Sequence, residues 1–263
     1  MGLLPALEPW QWLMLGLATV LIGAAKTGFA GIGIVSIALF ALVWPARESV
    51  GIVLVILICA DCVAISAYRR QLARWDILRQ IYPWSLLGVA LGYLALGRVS
   101  DTDAKRLIGA TLLLLVLLSL AQRLRARPVP AAAEGAAPPP PQDEGRVPLW
   151  ITAVAGTVAG ATTMVANAAG PVMVLYLLTR RLDKVSFVAT AAWYFFTLNL
   201  CKVPFGLQLG LINGQSLLIA LALLPTVLLG GIVGKWALPR VNQKAFEYLA
   251  LGLTFAASLR LLF

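Results

Sequence analysis

Lys26, Asp61 and Lys202 each stand inside a long apolar run, where an ionisable side chain is unexpected. At the centre of a membrane helix a Lys or Asp costs ~2.5–3.5 kcal/mol on insertion scales. Such a residue therefore faces a cavity or a partner and marks a functional site. Asp61 can neutralise Lys26 or Lys202, carry a coupling proton, or sit in a static ion pair. Lys202 lies just before Pro204, where its helix is expected to end, and from there it can also snorkel to the membrane edge.

Two strings of glycine and small polar residues accompany these charges. They are Lys26-Thr27-Gly28-Phe29-Ala30-Gly31-Ile32-Gly33 and Thr162-Thr163-Met164-Val165-Ala166-Asn167-Ala168-Ala169-Gly170-Pro171. Each is read as a break in a membrane helix, and unwound backbone at that depth is tolerated only inside protein or beside a wet cavity. Half-helices starting near Gly33 and Pro171 would present unpaired N–H groups, which attract anions. Pro171 suits the first position of a helix, where its missing N–H costs nothing. Thr27, Thr162, Thr163 and Asn167 add side-chain donors and Lys26 adds positive charge. The competing reading is that the small residues only let helices pack closely.

Other motif-like strings carry less. Gly28-x-x-Gly31-x-Gly33 lacks the βαβ context of a nucleotide site. Cys59-x-x-Cys62 is expected in mid-helix, whereas a redox pair belongs at a helix N-terminus, so packing is the expected role. The arginines of 69–79 can bind anionic lipid, although loop topology alone accounts for them. The chain has no histidine, which excludes His-based acid/base catalysis and His metal ligation, and no metal or cofactor is expected.

The elements that must position these residues are membrane helices. Of the 263 residues 60% are hydrophobic and 12% charged, against roughly 25% charged in soluble domains. That excludes a secreted module, a disordered chain and an ordinary cytosolic enzyme. The net charge of +10 is assigned to cytoplasmic loops of a membrane protein and not to nucleic-acid binding. A helical span takes ~20 residues, and full-span candidates are 50–67, 80–97, 107–122, 185–203, 211–234 and 246–262. The runs 11–44 and 149–178 are too long for one crossing, and both contain a break. No basic segment precedes the first run, so a cleaved signal peptide is not expected.

The chain divides into a first membrane repeat (1–122), a Pro/Ala-rich cytoplasmic linker (123–148) and a second membrane repeat (149–263). Gly23-Ala24, Gly33 and Val35 match Gly160-Ala161, Gly170 and Val172, and 83–99 matches 225–241 at nine of 17 positions. Shared residues include Pro83/Pro225, Gly88/Gly230, Gly92/Gly234 and Arg98/Arg240, a pattern of duplication common in transporters. If each long run returns to its starting side, basic residues outside the apolar runs divide 14 to five between the two faces. Eight simple crossings would divide them 10 to nine, which is no bias. The positive-inside rule thus favours inverted repeats, with both termini outside and the linker inside. The expected fold is an all-α polytopic membrane protein, each repeat an interrupted, re-entrant-like helix pair plus three spanning helices. Two short complete crossings per long run would give the same sidedness.

The string Gly23-Ala24-Ala25-Lys26-Thr27-Gly28-Phe29-Ala30-Gly31, its counterpart Asn167-Ala168-Ala169-Gly170-Pro171, and Asn199-x-x-Lys202-x-Pro204-Phe205 resemble the TauE/SafE sulfite exporter family. The resemblance covers nearly the whole chain apart from the linker. It implies a secondary carrier of sulfur-containing oxyanions such as sulfite, sulfonates or sulfoacetate, in the cytoplasmic membrane. Carried over by match, Lys26, Gly28, Gly31, Asn167, Gly170, Pro171, Asn199 and Lys202 occupy the motif positions. Many members carry a consecutive glycine run in the first repeat, spread here as Gly28, Gly31 and Gly33, which leaves the shape of that half-site open.

The resulting expectation is an anion transporter, an exporter and not an enzyme, with proton coupling open through Asp61. Its substrate lies near the midplane, among Lys26, Thr27, Gly28, Gly31, Gly33, Thr162, Thr163, Asn167, Gly170, Pro171, Asn199 and Lys202. Its partners are a small sulfur-containing anion and membrane lipid, with no nucleic acid, and a homo-oligomer is allowed. Two rival classes are an intramembrane thiol redox enzyme using Cys59 and Cys62, and a cation carrier or channel using Asp61.

Overall fold

The computed structural model describes residues 7–27, 33–67, 70–125, 147–180, 182–237 and 243–263. These residues form ten α-helices and a short 3-10 turn, with no strand among them. The first half holds Pro9–Thr27 (α1), Gly33–Val43 (α2), Ala46–Ala67 (α3), Trp75–Arg98 (α4) and Asp101–Arg125 (α5). The second holds Leu149–Ala166 (α6), Gly170–Thr179 (α7), Lys184–Gln208 (α8), Gly214–Ala237 (α9) and Gln243–Leu262 (α10). Ala46–Ser66, Leu149–Ala166 and Gly214–Val233 are long and apolar enough to cross a membrane. Leu13, Trp150, Leu221 and Ile232 are between 64% and 74% exposed, as suits side chains that meet lipid. The protein is an all-helical membrane protein.

The two long runs give four helices. The first gives α1 and the 11-residue α2, and the string 28–32 between them lies outside the described residues. The second gives α6 and the 10-residue α7, separated at Asn167–Ala169. Asn167 closes α6 in the left-handed region, φ 53°, a conformation Asn tolerates better than most residues. The carbonyls left open there are taken by backbone N–H groups, Asn167 donating to Thr163 (2.9 Å) and Ala168 to Thr162 (3.3 Å). Pro171 falls one place later than expected, as the second residue of α7 after Gly170. At the other end of the chain's polar loops, Asp183 caps α8, accepting from the Val185 and Ser186 N–H groups at 3.0 Å each.

Two boundaries depart from the sequence reading. Helix α8 does not end before Pro204 but continues to Gln208 with Pro204 inside it. Proline removes one backbone donor without forbidding a helix that its surroundings hold, and Pro83 and Pro225 likewise lie inside α4 and α9. Helix α5 reaches Arg125, three residues into the expected linker, and 126–146 lie outside the described residues.

Helices of one half pack chiefly on helices of the other. α1 lies along α9, α6 along α4, α3 on α8, and α5 on α10. One buried cluster joins α1, α2, α3 and α9, around Leu15, Phe40, Ile52 and Val227. A second joins α6, α7, α8 and α4, around Ala159, Met173, Leu198 and Ile81. In chain order, the first, second and third helices of one half meet the fourth helix of the other in each cluster. Glycines set the approach. A Cβ on Gly160 would overlap the Ser85 carbonyl oxygen and one on Gly88 that of Thr157, while Gly23 faces Val227 and Gly230 faces Val20 in the same way.

Candidate functional site

Six of the sequence-selected residues meet in one polar cluster inside this apolar bundle: Lys26, Asp61, Thr163, Asn167, Asn199 and Lys202. Helical spacing aligns each contributor. Asn199 and Lys202 lie three apart on α8, and Thr163 and Asn167 lie four apart at the end of α6, so each pair shares a face. Lys26 is in the last turn of α1, and Asp61 stands on α3. Asp61 and Lys202 are fully buried, and the Lys26 side chain, 18% exposed, is the most open of the six.

Lys202 donates from Nζ to Asn167 Oδ1 (2.6 Å), Thr163 Oγ1 (3.1 Å) and Asn199 Oδ1 (3.2 Å). An ammonium has three donors, and here all three go to uncharged oxygens. Burial thus rules out the snorkelling considered for Lys202, whose helix runs on past it. Asp61 pairs instead with Lys26 through Oδ1, and its Oδ2 accepts from Asn199 Nδ2 at 2.7 Å. Asn199 therefore bridges Lys202 and Asp61. Asn167 is committed at both ends, its Nδ2 donating to the Val50 carbonyl on α3 at 2.9 Å. Lys26 also stands over the Phe195 ring, 4.6 Å from its centroid, a cation–π contact. Counted formally, two lysines and one aspartate leave the cluster one positive charge in excess. Burying such charges is costly unless each is paired and hydrogen-bonded; Lys26 and Asp61 are paired, and Lys202 is hydrogen-bonded to neutral oxygens alone.

The other sequence candidates fall elsewhere. Thr162 turns its hydroxyl back on its own helix, to Val158 O (2.8 Å) and Ala159 O (3.2 Å). Gly33 opens α2 and Gly170 opens α7, and Thr27 closes α1. Pro171 follows Gly170, and α7 has no side-chain cap, so its first N–H groups gain no side-chain oxygen. Gly28 and Gly31 lie outside the described residues. Cys59, Cys62 and Cys201 are free thiols, Cys62 exposed on the bundle surface. Among the described residues no group of three or more His, Cys, Asp or Glu side chains comes together.

Two contributors escape sequence reasoning. Phe195 precedes Asn199 by four residues and Lys202 by seven, so the 3.6-residue period alone would have placed it on the same face. Val50 enters through its carbonyl, which no side-chain pattern reveals. A separate polar knot gathers at the α7 end, where Arg180 Nη2 donates to Tyr176 OH (2.5 Å), Gln80 Oε1 (2.9 Å) and Thr152 Oγ1 (3.2 Å).

With the charges and the helix break at Asn167 in place, comparison with known families is decisive. A family model described as Sulfite exporter TauE/SafE matches residues 15–261. The chain belongs to the sulfite exporter TauE/SafE family. That match spans all ten helices of the TauE/SafE protein apart from a few terminal residues of α1 and α10. The family description is that of a membrane transporter, with a small anion as substrate and lipid as surroundings. No curated protein matches the chain, and no solved structure does.

Proposed function

We propose that this TauE/SafE protein is a secondary carrier of the cytoplasmic membrane that exports sulfur-containing oxyanions: sulfite, sulfonates or sulfoacetate-like molecules. One observation carries the reading: a cluster of two lysines and one aspartate, with Asp61 and Lys202 fully buried and a formal positive charge in excess, lies beside a helix break. In a low-dielectric interior that excess charge attracts an anion far more strongly than it would in water. The anion binds near the midplane, between the breaks at 26–33 and 162–171. Gly33 shapes one half-site, and Gly170 and Pro171 the other. Asp61 carries the coupling proton.

The two membrane repeats, 1–122 and 149–263, are inverted, with both termini outside and the linker inside. Support comes from the basic residues, and from α2 and α7. At ~1.5 Å per residue these reach ~16 and ~15 Å, about half of a ~30 Å hydrocarbon core. Short helices of that length suit interrupted hairpins better than complete crossings. Cysteines introduced in the linker should resist a membrane-impermeant label applied from outside, while those at the termini react.

Export is tested with purified protein in liposomes, following labelled sulfite and a panel of sulfonates across an imposed proton gradient. Flux above that of empty liposomes is expected for at least one of them. It should collapse in Lys26→Ala and persist in Arg74→Ala, whose guanidinium pairs with Asp76 at the helix end. No flux of any sulfur oxyanion would overturn the reading. The partners of Asp61, a lysine and a carboxamide donor, oppose its use as a cation ligand.

A further inference from the structure

The two buried lysines are not equivalent. All three Lys202 donors are held by Thr163, Asn167 and Asn199, so an incoming anion meets an ammonium with nothing left to give. Lys26 keeps a partly exposed side chain, and its ion pair is with a carboxylate, itself a small anion with two oxygens. Those oxygens go to two different donors, Oδ1 to Lys26 Nζ and Oδ2 to Asn199 Nδ2. The donor pair is thus already arranged for a terminal group carrying two oxygens and one negative charge.

We infer that Asp61 is an internal stand-in for the transported anion, which replaces the Asp61 carboxylate on Lys26 and Asn199 as Asp61 takes up one proton. This rests on the anion-carrier reading and specifies its substrate class: monoanions with two or more terminal oxygens on one atom, such as sulfonates, hydrogensulfite and, as competitors, carboxylates. The charge balances. One anion enters, one proton from water adds to the displaced carboxylate, and the cluster keeps its single excess positive charge. Without the proton, two negative charges would share the buried site with two lysines, one of them fully engaged.

The groups around Asp61 make it the place for that proton. Lys26 faces it from α1 and Lys202 lies beyond Asn199 on α8, which also bears Cys201 and the buried Tyr194. Cys59 and Cys62 are on its own helix, with Glu48 and Arg47 near the far end. Helices α2 and α6 contain no ionisable residue, and the only one in α9 is Lys235 near its end. The charged residues of α5 near α3 lie at its first turns, where Asp101 accepts from the Arg47 N–H. Among the described residues, no second carboxylate therefore lies within the cluster.

Isothermal titration of the full-length protein in detergent with ethanesulfonate, a permanent monoanion, tests this in two buffers of different ionisation enthalpy. The wild type should take up close to one proton per anion bound. Asp61→Asn should take up none and bind at least about tenfold more tightly, since its built-in competitor is gone. Should Asp61→Asn fail to fold, infrared difference spectra of the wild type keep the test open. Ethanesulfonate should convert one ionised aspartate band into a protonated one. Binding without proton uptake, unchanged or weaker binding by folded Asp61→Asn, or an unchanged aspartate spectrum would each overturn the stand-in while leaving the anion carrier intact. Absence of binding by ethanesulfonate and by sulfite alike would overturn both.

Discussion

Replacing Asn167 separates three contributions that the native side chain combines. Its backbone is left-handed, φ 53°, which costs an ordinary L-residue about 1–2 kcal/mol. Its Oδ1 accepts from the Lys202 ammonium at 2.6 Å, a charge-assisted bond that contributes about 1.5–3 kcal/mol. Its Nδ2 donates to the Val50 carbonyl at 2.9 Å, a neutral bond of about 0.5–1.5 kcal/mol. Asn167→Ala loses all three and should cost about 3–6 kcal/mol. Asn167→Gly restores the backbone freedom but neither bond, and should cost less by about 1–2 kcal/mol. Asn167→Asp keeps the acceptor for Lys202, loses the donor, and cancels the cluster's excess charge. It should be the most stable of the three yet bind anions at least tenfold more weakly. Equilibrium unfolding in mixed micelles, read by tryptophan fluorescence, measures the stabilities, and titration with sulfite measures the affinities. Equal losses for Ala and Gly, or losses below about 1 kcal/mol for both, would refute the view that this break is held by its side chain.

Glycine substitutions should divide by location. Gly160→Ala drives a Cβ into the Ser85 carbonyl and should lower the melting temperature sharply, whereas Gly170→Ala, with nothing within 4 Å of its Cβ, should change it little. Equal shifts in a thermal melt would contradict the packing. At the cap of α8, hydrogen bonds from Ser186, through side chain and backbone, hold the Asp183 carboxyl below its usual range. Its folded-state value is depressed, so the cap stabilises α8 above the unfolded value of ~3.9 and loses that effect as pH falls through the folded value. Asp183→Ala should therefore cost about 1 kcal/mol near neutral pH and progressively less as pH is taken down below the unfolded value of ~3.9, judged from unfolding curves across that range.

The site was legible where it broke a rule of membrane sequences. A charge in an apolar run is costly, and Lys26, Asp61 and Lys202 declared themselves for that reason. The second helix break was legible because proline and glycine follow a polar residue at Asn167–Pro171. Which charge meets which was not. Asp61 stands 35 residues from Lys26 and 141 from Lys202 along the chain, and only the packing of α1, α3 and α8 chooses the former as its ion-pair partner. The end of α8 was misjudged because a local propensity, the missing donor of Pro204, yields to the tertiary surroundings of a helix that runs through it. Thr162 looked like a ligand by composition, yet its hydroxyl serves its own backbone, a habit of Ser and Thr that composition does not reveal.

The interlocked glycines bear on how the chain is made. Helix α1, at 9–27, rests on α9, at 214–237, and α4, at 75–98, rests on α6, at 149–166. During synthesis the first helix therefore enters the bilayer nearly two hundred residues before the surface it fits exists. Until then the close approach of Gly23 to the Val227 carbonyl cannot form. Ribosome pausing or premature termination anywhere before α9 leaves α1 without the surface it fits. Two separately translated halves, by contrast, carry complementary surfaces, and co-expression should let each complete the other in trans.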